Sequence, residues 1–143
     1  MSGGAGRILH ATCVALDGRG VLFLGRSGRG KSALALDLLA RGADLVADDA
    51  TRVTAAHGRV LAEPAGPVRG MIEARGIGIL RASQARDAVP VALLVDLDRA
   101  EPARLPPWRA RGLLGVAVPL ILGRGMTHLA PAVLLWLRHG RAM

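Results

Sequence analysis

Short apolar runs recur along the chain, separated by turns rich in glycine and charged residues. The segment 21–24 is wholly apolar, as expected for a strand that is buried on both faces. Apolar runs and mixed apolar-polar segments of similar character predict further strands at 8–16, 45–47, 91–95 and 116–122. Pro119 indicates that the last of these is an edge strand or contains a bulge.

Two segments have apolar positions at helical spacing. The segment 31–40 is rich in Leu and Ala, and Gly42 is suited to cap its carboxyl end. The segment 129–138 predicts a closing helix, with Pro131 tolerated in the first turn. Because the predicted strands alternate with helices, the pattern favours an α/β fold.

The remaining segments predict a hairpin and two irregular regions. Two short runs within 51–62 flank His57 and Gly58, a pair typical of tight β-turns. The segment 66–78 carries proline and four glycines and is expected to be irregular and exposed. The segment 101–111 contains three prolines and is not expected to form a regular element.

The segment 25–32 matches the phosphate-binding pattern G-x-x-x-x-G-K-[ST] at every fixed position. Its glycines let backbone N–H groups point at phosphates, and the helix that follows directs the positive end of its dipole there. Lys31 is expected to neutralise the β- and γ-phosphates, and Ser32 to bind Mg²⁺. The predicted nucleotide-binding residues of this P-loop are Gly25, Arg26, Ser27, Gly28, Arg29, Gly30, Lys31 and Ser32.

Lys31 is the only lysine among the 19 Lys and Arg residues of the chain. A preference for arginine over lysine is expected from codon usage. A lysine that is retained despite this preference should lie where a planar guanidinium group fits poorly. A compact, flexible ammonium group that reaches phosphates meets this condition. The composition therefore supports the P-loop independently of the motif.

Two adjacent carboxylates, Asp48 and Asp49, follow the predicted strand 45–47. In a parallel sheet this strand would lie beside the P-loop strand, and its carboxyl end would face the phosphates. A carboxylate there either holds Mg²⁺ through water or accepts a proton from an incoming hydroxyl. From local sequence alone, a surface turn or a helix N-cap is the other interpretation. Asp96 and Asp98 are an alternative source of the metal-binding acid.

Composition narrows the range of partners. The formal charge is +8, but the arginines are scattered, and aromatic residues, which single-strand binders use for stacking, make up only 2% of the chain. No apolar run reaches the roughly 18 residues that span a bilayer, and the amino terminus lacks the apolar stretch of a signal peptide. A single cysteine fits a reducing compartment. We therefore expect a cytoplasmic protein whose partner is neither nucleic acid nor a membrane.

Two further features have relevant chemistry but weak local signals. His10 lies on a predicted strand, where a core or surface histidine is the more common case. The segment 73–79 places Glu73 and Arg75 among glycines in a loop that would offer a metal ligand and a phosphate contact. An ordinary surface loop is the alternative interpretation of that segment.

Together these pieces resemble the catalytic domain of the bacterial HPr kinase/phosphorylase family, in a short form of the kind found in alphaproteobacteria. The resemblance is carried by His10, the P-loop 25–32, Leu45-Val46-Ala47-Asp48-Asp49 and Glu73-Ala74-Arg75-Gly76-Ile77-Gly78-Ile79, with a weaker fifth block at 118–124. A P-loop alone is shared by many NTPases. Its spacing to the aspartate pair, followed by E-x-R-G-x-G-I, is far more specific.

The resemblance implies ATP-dependent phosphorylation of a serine on an HPr-like phosphocarrier, with Mg²⁺, in regulation of carbohydrate or nitrogen phosphotransferase signalling. Many members reverse the reaction by phosphorolysis. The implied architecture is a single P-loop domain over 1–143 with a mixed sheet, related to phosphoenolpyruvate carboxykinase, with about the first six residues disordered. The family forms hexamers, so a homo-oligomer is a further expectation.

The resemblance also implies roles for individual residues. Ser32 and Glu73 would bind Mg²⁺, and the aspartate pair, with Asp49 preferred over Asp48, would accept the serine proton. Two further residues match active-site positions of the family, namely His10 and Arg104. Four residues match segments associated with the reverse reaction, namely Arg75, Gly76, Gly78 and Arg124.

The fifth block departs from the family pattern, because Ile121 stands where the family has a lysine. The kinase reaction is therefore a firmer expectation than phosphorolysis. The alternative function is a P-loop sensor that binds nucleotide and a partner without phosphoryl transfer. Such a sensor would use Lys31 and Ser32 but would need neither His10 nor Asp49.

Overall fold

The computed structural model describes residues 6–143, which form eleven strands and two helices. The predicted disorder at about 1–6 concerns residues 1–5, which lie outside the described part, and Gly6, which is exposed. In chain order the elements are β1 (Arg7–Leu9), β2 (Thr12–Leu16), β3 (Arg19–Leu24), α1 (Lys31–Ala40), β4 (Asp44–Ala47), β5 (Thr51–Ala56), β6 (Arg59–Pro64), β7 (Met71–Ala74), β8 (Gly78–Arg81), β9 (Val89–Asp96), β10 (Ala110–Leu113), β11 (Val116–Leu122) and α2 (Leu129–His139).

Nine of these strands form one mixed sheet, and β7 pairs with β8 in a separate hairpin. The main path runs β1-β5-β6-β9-β3-β2-β4, and β11 also pairs with β9. The P-loop strand β3 is central, parallel to β9 on one side and antiparallel to β2 on the other. Helices follow only β3 and β11, so the regular alternation of strands and helices expected from the sequence is wrong, although the α/β class with a mixed sheet is confirmed.

The expectation that the strand 45–47 lies beside the P-loop strand is also wrong. The strand β2 lies between them and is antiparallel to both. The cause is a tight hairpin in which Asp17 and Gly18, both at positive φ, join β2 directly to β3. Because β2 runs opposite to both neighbours, β3 and β4 still point the same way, and their carboxyl ends reach the same edge.

Apolar side chains pack into two clusters, one on each face of the sheet. The larger cluster packs α1 and α2 against the sheet and contains Phe23, Leu38, Leu93 and Val133. The smaller one lies on the opposite face, where the curled strands β5, β6 and β11 contribute Val53, Val60 and Val118. Cys13 belongs to it, fully buried as expected for a small apolar residue, and burial raises the pKa of its thiol.

The segment 66–78 is more ordered than its glycines suggest. Its second half forms β7, where Ile72 and Ala74 are buried and alternate with exposed Met71 and Glu73. The hairpin is anchored by Gln84, whose side chain accepts a hydrogen bond from the Gly70 amide and donates one to the Val46 carbonyl. The segment 101–109 lacks a regular element, as predicted, but the prediction for 101–111 is wrong at its last two residues, because β10 begins at Ala110.

Candidate active site

The P-loop joins the carboxyl end of β3 to the first residue of α1. Gly30 adopts a left-handed conformation (φ 93°) immediately before the helix, which a residue with a Cβ rarely adopts. Gly25 is at positive φ (147°), and a Cβ there would lie 3.2 Å from the Cβ of Leu97, which directly follows β9, so glycine is favoured at this position. A glycine-rich loop that leads from a strand into the amino terminus of a helix is the arrangement that binds phosphate through backbone amides.

Lys31 is the first residue of α1, and its side chain is only 6% exposed. Its Nζ donates a hydrogen bond to the Gly25 carbonyl, across the mouth of the P-loop. The ammonium group thus lies beside the loop amides, where a bound phosphate would replace the carbonyl as its partner.

The aspartate pair lies at the same edge of the sheet, although β2 separates β4 from β3. Asp48 Oδ1 accepts a hydrogen bond from Ser32 Oγ at 2.8 Å, which places the first acid directly beside the P-loop. The same oxygen accepts a hydrogen bond from Thr12 Oγ1 at 3.1 Å. Asp48 is therefore held between α1 and β2.

Asp49 faces outward and is paired with His10. His10 Nδ1 lies 3.2 Å from Asp49 Oδ1, and both side chains are more than half exposed. His10 Nε2 also lies 3.3 Å from Ser27 Oγ of the P-loop. The predicted strand 8–16 is broken at this residue into β1 and β2, and the bend gives the imidazole its position over the loop.

Thr12 is a site residue that the sequence interpretation missed. Its side chain is fully buried at the start of β2. While its hydroxyl donates to Asp48, it also accepts a hydrogen bond from the Asp49 amide at 3.2 Å. One hydroxyl thus fixes the side chain of the first acid and the backbone of the second, whose φ is 67°. A polar residue opening an apolar strand was its only sequence signal.

The β7–β8 hairpin forms the far wall of a cleft of about 570 Å³ over the P-loop. It contributes Glu73, Arg75 and Ile77, and the turn around Gly76 joins its two strands. The remaining lining residues are His10, Ser27, Gly28, Gly30, Lys31, Ser32, Ala33, Leu36, Asp48, Asp49 and Ala74. Gly78 lies just outside this group, at the start of β8.

The oxygen atoms of this cleft suit Mg²⁺. Within residues 6–143, no group of three or more His, Cys, Asp or Glu side chains is arranged to hold a metal. Mg²⁺, however, usually takes one or two protein oxygens and completes its octahedron with phosphates and water. The hydroxyl of Ser32 and the carboxylate of Asp48, 2.8 Å apart, form such a partial donor set, with Glu73 on the facing wall.

The alternative metal-binding acids are engaged elsewhere. Asp96 is buried and pairs with Arg111 at 2.6 Å. Asp98 Oδ1 accepts hydrogen bonds from the Arg26 amide at 3.1 Å and from Arg29 Nε at 3.0 Å. The Arg26 amide and, to a smaller extent, Arg29 hold the pKa of Asp98 below its usual value. Asp98 therefore stabilises the conformation of the P-loop from outside the cleft.

Two predicted site residues lie apart from the cleft. In the described chain, Arg104 is exposed in the proline-rich loop before β10 and is not among the residues that line the cleft. Arg124 follows β11 and lines a separate cavity on the other side of the P-loop. Ile121 packs partly buried against the larger apolar cluster. A lysine at that position would bring a charge to the border of the core.

A strand, a glycine-rich loop and a helix, with acids at the neighbouring strand ends, define an α/β protein with a P-loop nucleotide-binding site. The family model described as HPr Serine kinase C-terminal domain matches residues 5–102. The chain belongs to this family, as the resemblance predicted.

Relatives extend the similarity beyond that segment. An HPr kinase/phosphorylase of Aromatoleum aromaticum is 36% identical over 87% of this chain and 45% of its own length. One of Caldicellulosiruptor bescii is 50% identical over 50% of this chain and 23% of its own length. The chain thus spans less than half the length of these curated relatives.

The fold has a close counterpart among solved structures. The structure of the Hpr(Ser) kinase/phosphatase from Coxiella burnetii matches with a TM-score of 0.73 and 28% identity, over 92% of this chain and 94% of that chain. The match covers more of the chain than the family model does. Within the described residues, no helix is both long and apolar enough to cross a membrane.

Proposed function

We propose that this chain transfers the γ-phosphoryl group of ATP to a serine of an HPr-like phosphocarrier protein, with Mg²⁺ as cofactor. The observation that carries the proposal is the position of Asp49. Its carboxylate, 3.2 Å from His10, lines the same cleft as Lys31 and Ser32 of the P-loop. A nucleotide sensor needs the P-loop but has no use for an exposed acid–histidine pair beside it.

The P-loop side of the cleft would hold the phosphates. Backbone amides and Lys31 would contact the β- and γ-phosphate oxygens, and Ser32, Asp48 and Glu73 would hold the metal directly or through water. When bound, Mg²⁺ would neutralise charge on those phosphates. Phosphoryl transfer depends mainly on such positioning and charge stabilisation, so these contacts supply most of what the reaction requires.

Asp49 would serve as the base, with His10 holding its carboxylate. As the serine Oγ attacks the γ-phosphorus, Asp49 accepts the hydroxyl proton, and the bond to the β,γ-bridging oxygen breaks to release ADP. For phosphorolysis, an oxygen of inorganic phosphate would attack the phosphorus of the phosphoserine, and the bond to the serine Oγ would break to release pyrophosphate. Asp49 would return the proton to that serine oxygen. Arg75 lines the cleft, where it would contact a phosphate in either direction.

The expected partner is a carrier protein in the cytoplasm, and the regulated process is phosphotransferase signalling. The formal charge of +8 would favour a carrier with an acidic surface, because opposite charges speed encounter. A homo-oligomer, as in the family, is part of the proposal.

The direct test incubates the protein with γ-labelled ATP, Mg²⁺ and an HPr-like carrier. We expect label on a carrier serine, and we expect Asp49→Asn to reduce the rate by at least about 100-fold, since the general base is lost while the geometry is kept. The matched control is Asp87→Asn, an equivalent substitution at an exposed loop position before β9.

Nucleotide binding should survive Asp49→Asn, because the P-loop is untouched. If the wild-type protein binds ATP but transfers no label to any carrier serine, the sensor function replaces the kinase. If Asp49→Asn retains the wild-type rate, the kinase stands but its base lies elsewhere.

A further inference from the structure

A second cavity, of about 430 Å³, lies on the β9–β11 side of the P-loop, opposite the aspartate pair. Its walls come from four separate parts of the chain: the P-loop, the exposed face of α1, the end of β9 and the loop between β11 and α2. They are formed by Gly28, Arg29, Gly30, Ala33, Leu34, Asp37, Leu97, Gly123, Arg124, Gly125, Met126 and Leu129. Its volume lies within the roughly 300–1,000 Å³ usual for small-molecule sites.

The two cavities meet at the P-loop, because Gly28, Gly30 and Ala33 line both. A ligand whose phosphates rest on the loop amides can therefore extend to either side without leaving the protein surface. The rest of a nucleoside triphosphate must take one of these two directions.

The cleft side is poorly suited to a nucleoside. Its walls hold the carboxylates of Asp48, Asp49 and Glu73, which the metal and the acceptor serine would use. A ribose and base there would also block the approach of a serine to Asp49. The other direction leaves the acceptor path open.

The second cavity has the chemistry that a purine nucleoside requires. Leu97 and Leu129 are buried at its base, and Met126 is half-buried beside them. A methionine sulfur and arginine guanidinium groups both contact aromatic rings favourably, which matters in a chain with few aromatic side chains. Arg29 and Arg124 supply the guanidinium groups.

Two polar features favour a purine over a purely apolar ligand. Asp98 holds Arg29 Nε at 3.0 Å, which fixes that guanidinium group at the cavity wall. Asp37 lies exposed on the wall formed by α1, and its Oδ1 accepts a hydrogen bond from Arg41 Nε at 2.7 Å. A carboxylate has further lone pairs, which can accept a hydrogen bond from an amino group on the edge of a base.

We propose that this cavity binds the adenosine part of the donor nucleotide, so that the P-loop separates a nucleoside subsite from the acceptor cleft. The inference rests on the proposed kinase function. In this arrangement Arg124 contacts the base in the second cavity, whereas Arg75 lies in the acceptor cleft.

The test compares Mg²⁺-ATP with Mg²⁺-tripolyphosphate, which offers the same phosphate chain without a nucleoside. Calorimetry should show tighter binding of ATP by the wild-type protein. Arg124→Ala should weaken ATP binding about 3- to 30-fold and Met126→Ala about 2- to 10-fold, with tripolyphosphate affinity unchanged. Arg138→Ala, which removes an exposed charge on α2, is the matched control. Arg124 is exposed, so its truncation leaves the core intact.

Equal affinity of the wild-type protein for both ligands would overturn the subsite, as would equal losses for both ligands in Arg124→Ala. If neither ligand binds the wild-type protein, both the subsite and the kinase fail. If ATP is preferred through Arg124 but no serine is labelled, the subsite stands and the kinase alone is wrong.

Discussion

The two sides of the P-loop are built in different ways. On the β2–β4 side, polar side chains from strand ends and from the start of α1 hydrogen-bond to one another, with Thr12 and Ser32 both donating to Asp48. On the β9–β11 side, the walls come from helix and loop residues, and the apolar side chains of Leu34 and Met126 lie beside the charged side chain of Arg124. The only acid bound to the P-loop there, within residues 6–143, is Asp98, which is engaged by Arg26 and Arg29.

This difference matches two kinds of task. Side chains fixed by hydrogen bonds on strand ends keep reacting groups within a few tenths of an ångström, which phosphoryl transfer requires. A wall that combines apolar and charged side chains from a helix and loops suits the binding of a flat group with polar edges. Substitutions on the β2–β4 side, the first side, should therefore lower turnover. Substitutions on the β9–β11 side, the second side, should lower the affinity for the nucleotide.

The largest effect is expected at Lys31, which belongs to the cleft side. Lys31→Arg keeps the charge, but the planar guanidinium is larger and less able to follow a moving phosphate, and the native side chain is only 6% exposed. We expect turnover to fall at least about 100-fold in the labelled-carrier assay. Arg138→Lys is the reciprocal control. A rate within about twofold of wild type would show that the lone lysine has no special role.

A smaller effect on the same side is expected at Thr12. Thr12→Val leaves the Asp49 amide and an Asp48 oxygen without their shared partner, so the free energy of unfolding should fall by about 1–3 kcal/mol. Turnover should fall about tenfold, with KM for ATP nearly unchanged. Thr12→Ser keeps the hydroxyl and should recover most of the rate. Equal rates for the Val and Ser variants would show that Thr12 has a packing role only.

Elements fixed by local sequence were predictable. The P-loop and α1 occur where the motif and the helical spacing place them, because glycines, Lys31 and the leucines act within a few residues of one another. The β5–β6 hairpin around His57 and Gly58 follows for the same reason. The aspartate pair does lie near the P-loop, but its strand β4 is not the neighbour of β3 that the sequence predicted, because β2 lies between them.

Elements that depend on distant pairing were not predictable. The place of β2 between β3 and β4 is set by pairing across the sheet, and the role of Thr12 follows from that pairing. The hairpin β7–β8 was not predicted, because its glycines indicated an irregular segment. The alternation of buried Ile72 and Ala74 with polar or exposed neighbours is too short to indicate a strand. The second cavity joins residues from four segments, which no local pattern connects.

The smallest effect is expected at Asp98, on the second side. Because its folded pKa is lowered, first by the Arg26 amide and then by Arg29, its ionised form stabilises the fold at neutral pH. That contribution is fully present above the unfolded pKa of about 3.9 and is lost as pH falls through the lower folded value. Asp98→Asn should therefore be less stable than wild type at pH 7, and the difference should shrink below about pH 4.

Urea unfolding at several pH values measures this difference directly. Asp87→Asn, exposed in the loop before β9, controls for the loss of one negative charge. Since Asp98 fixes Arg29, the Asn variant should also bind ATP slightly more weakly while its affinity for tripolyphosphate stays constant. A stability difference that does not change between pH 7 and pH 3 would mean that Asp98 acts through packing and not through its charge. The ion pairs of Asp98 with Arg26 and Arg29 would then not stabilise the P-loop on its second side.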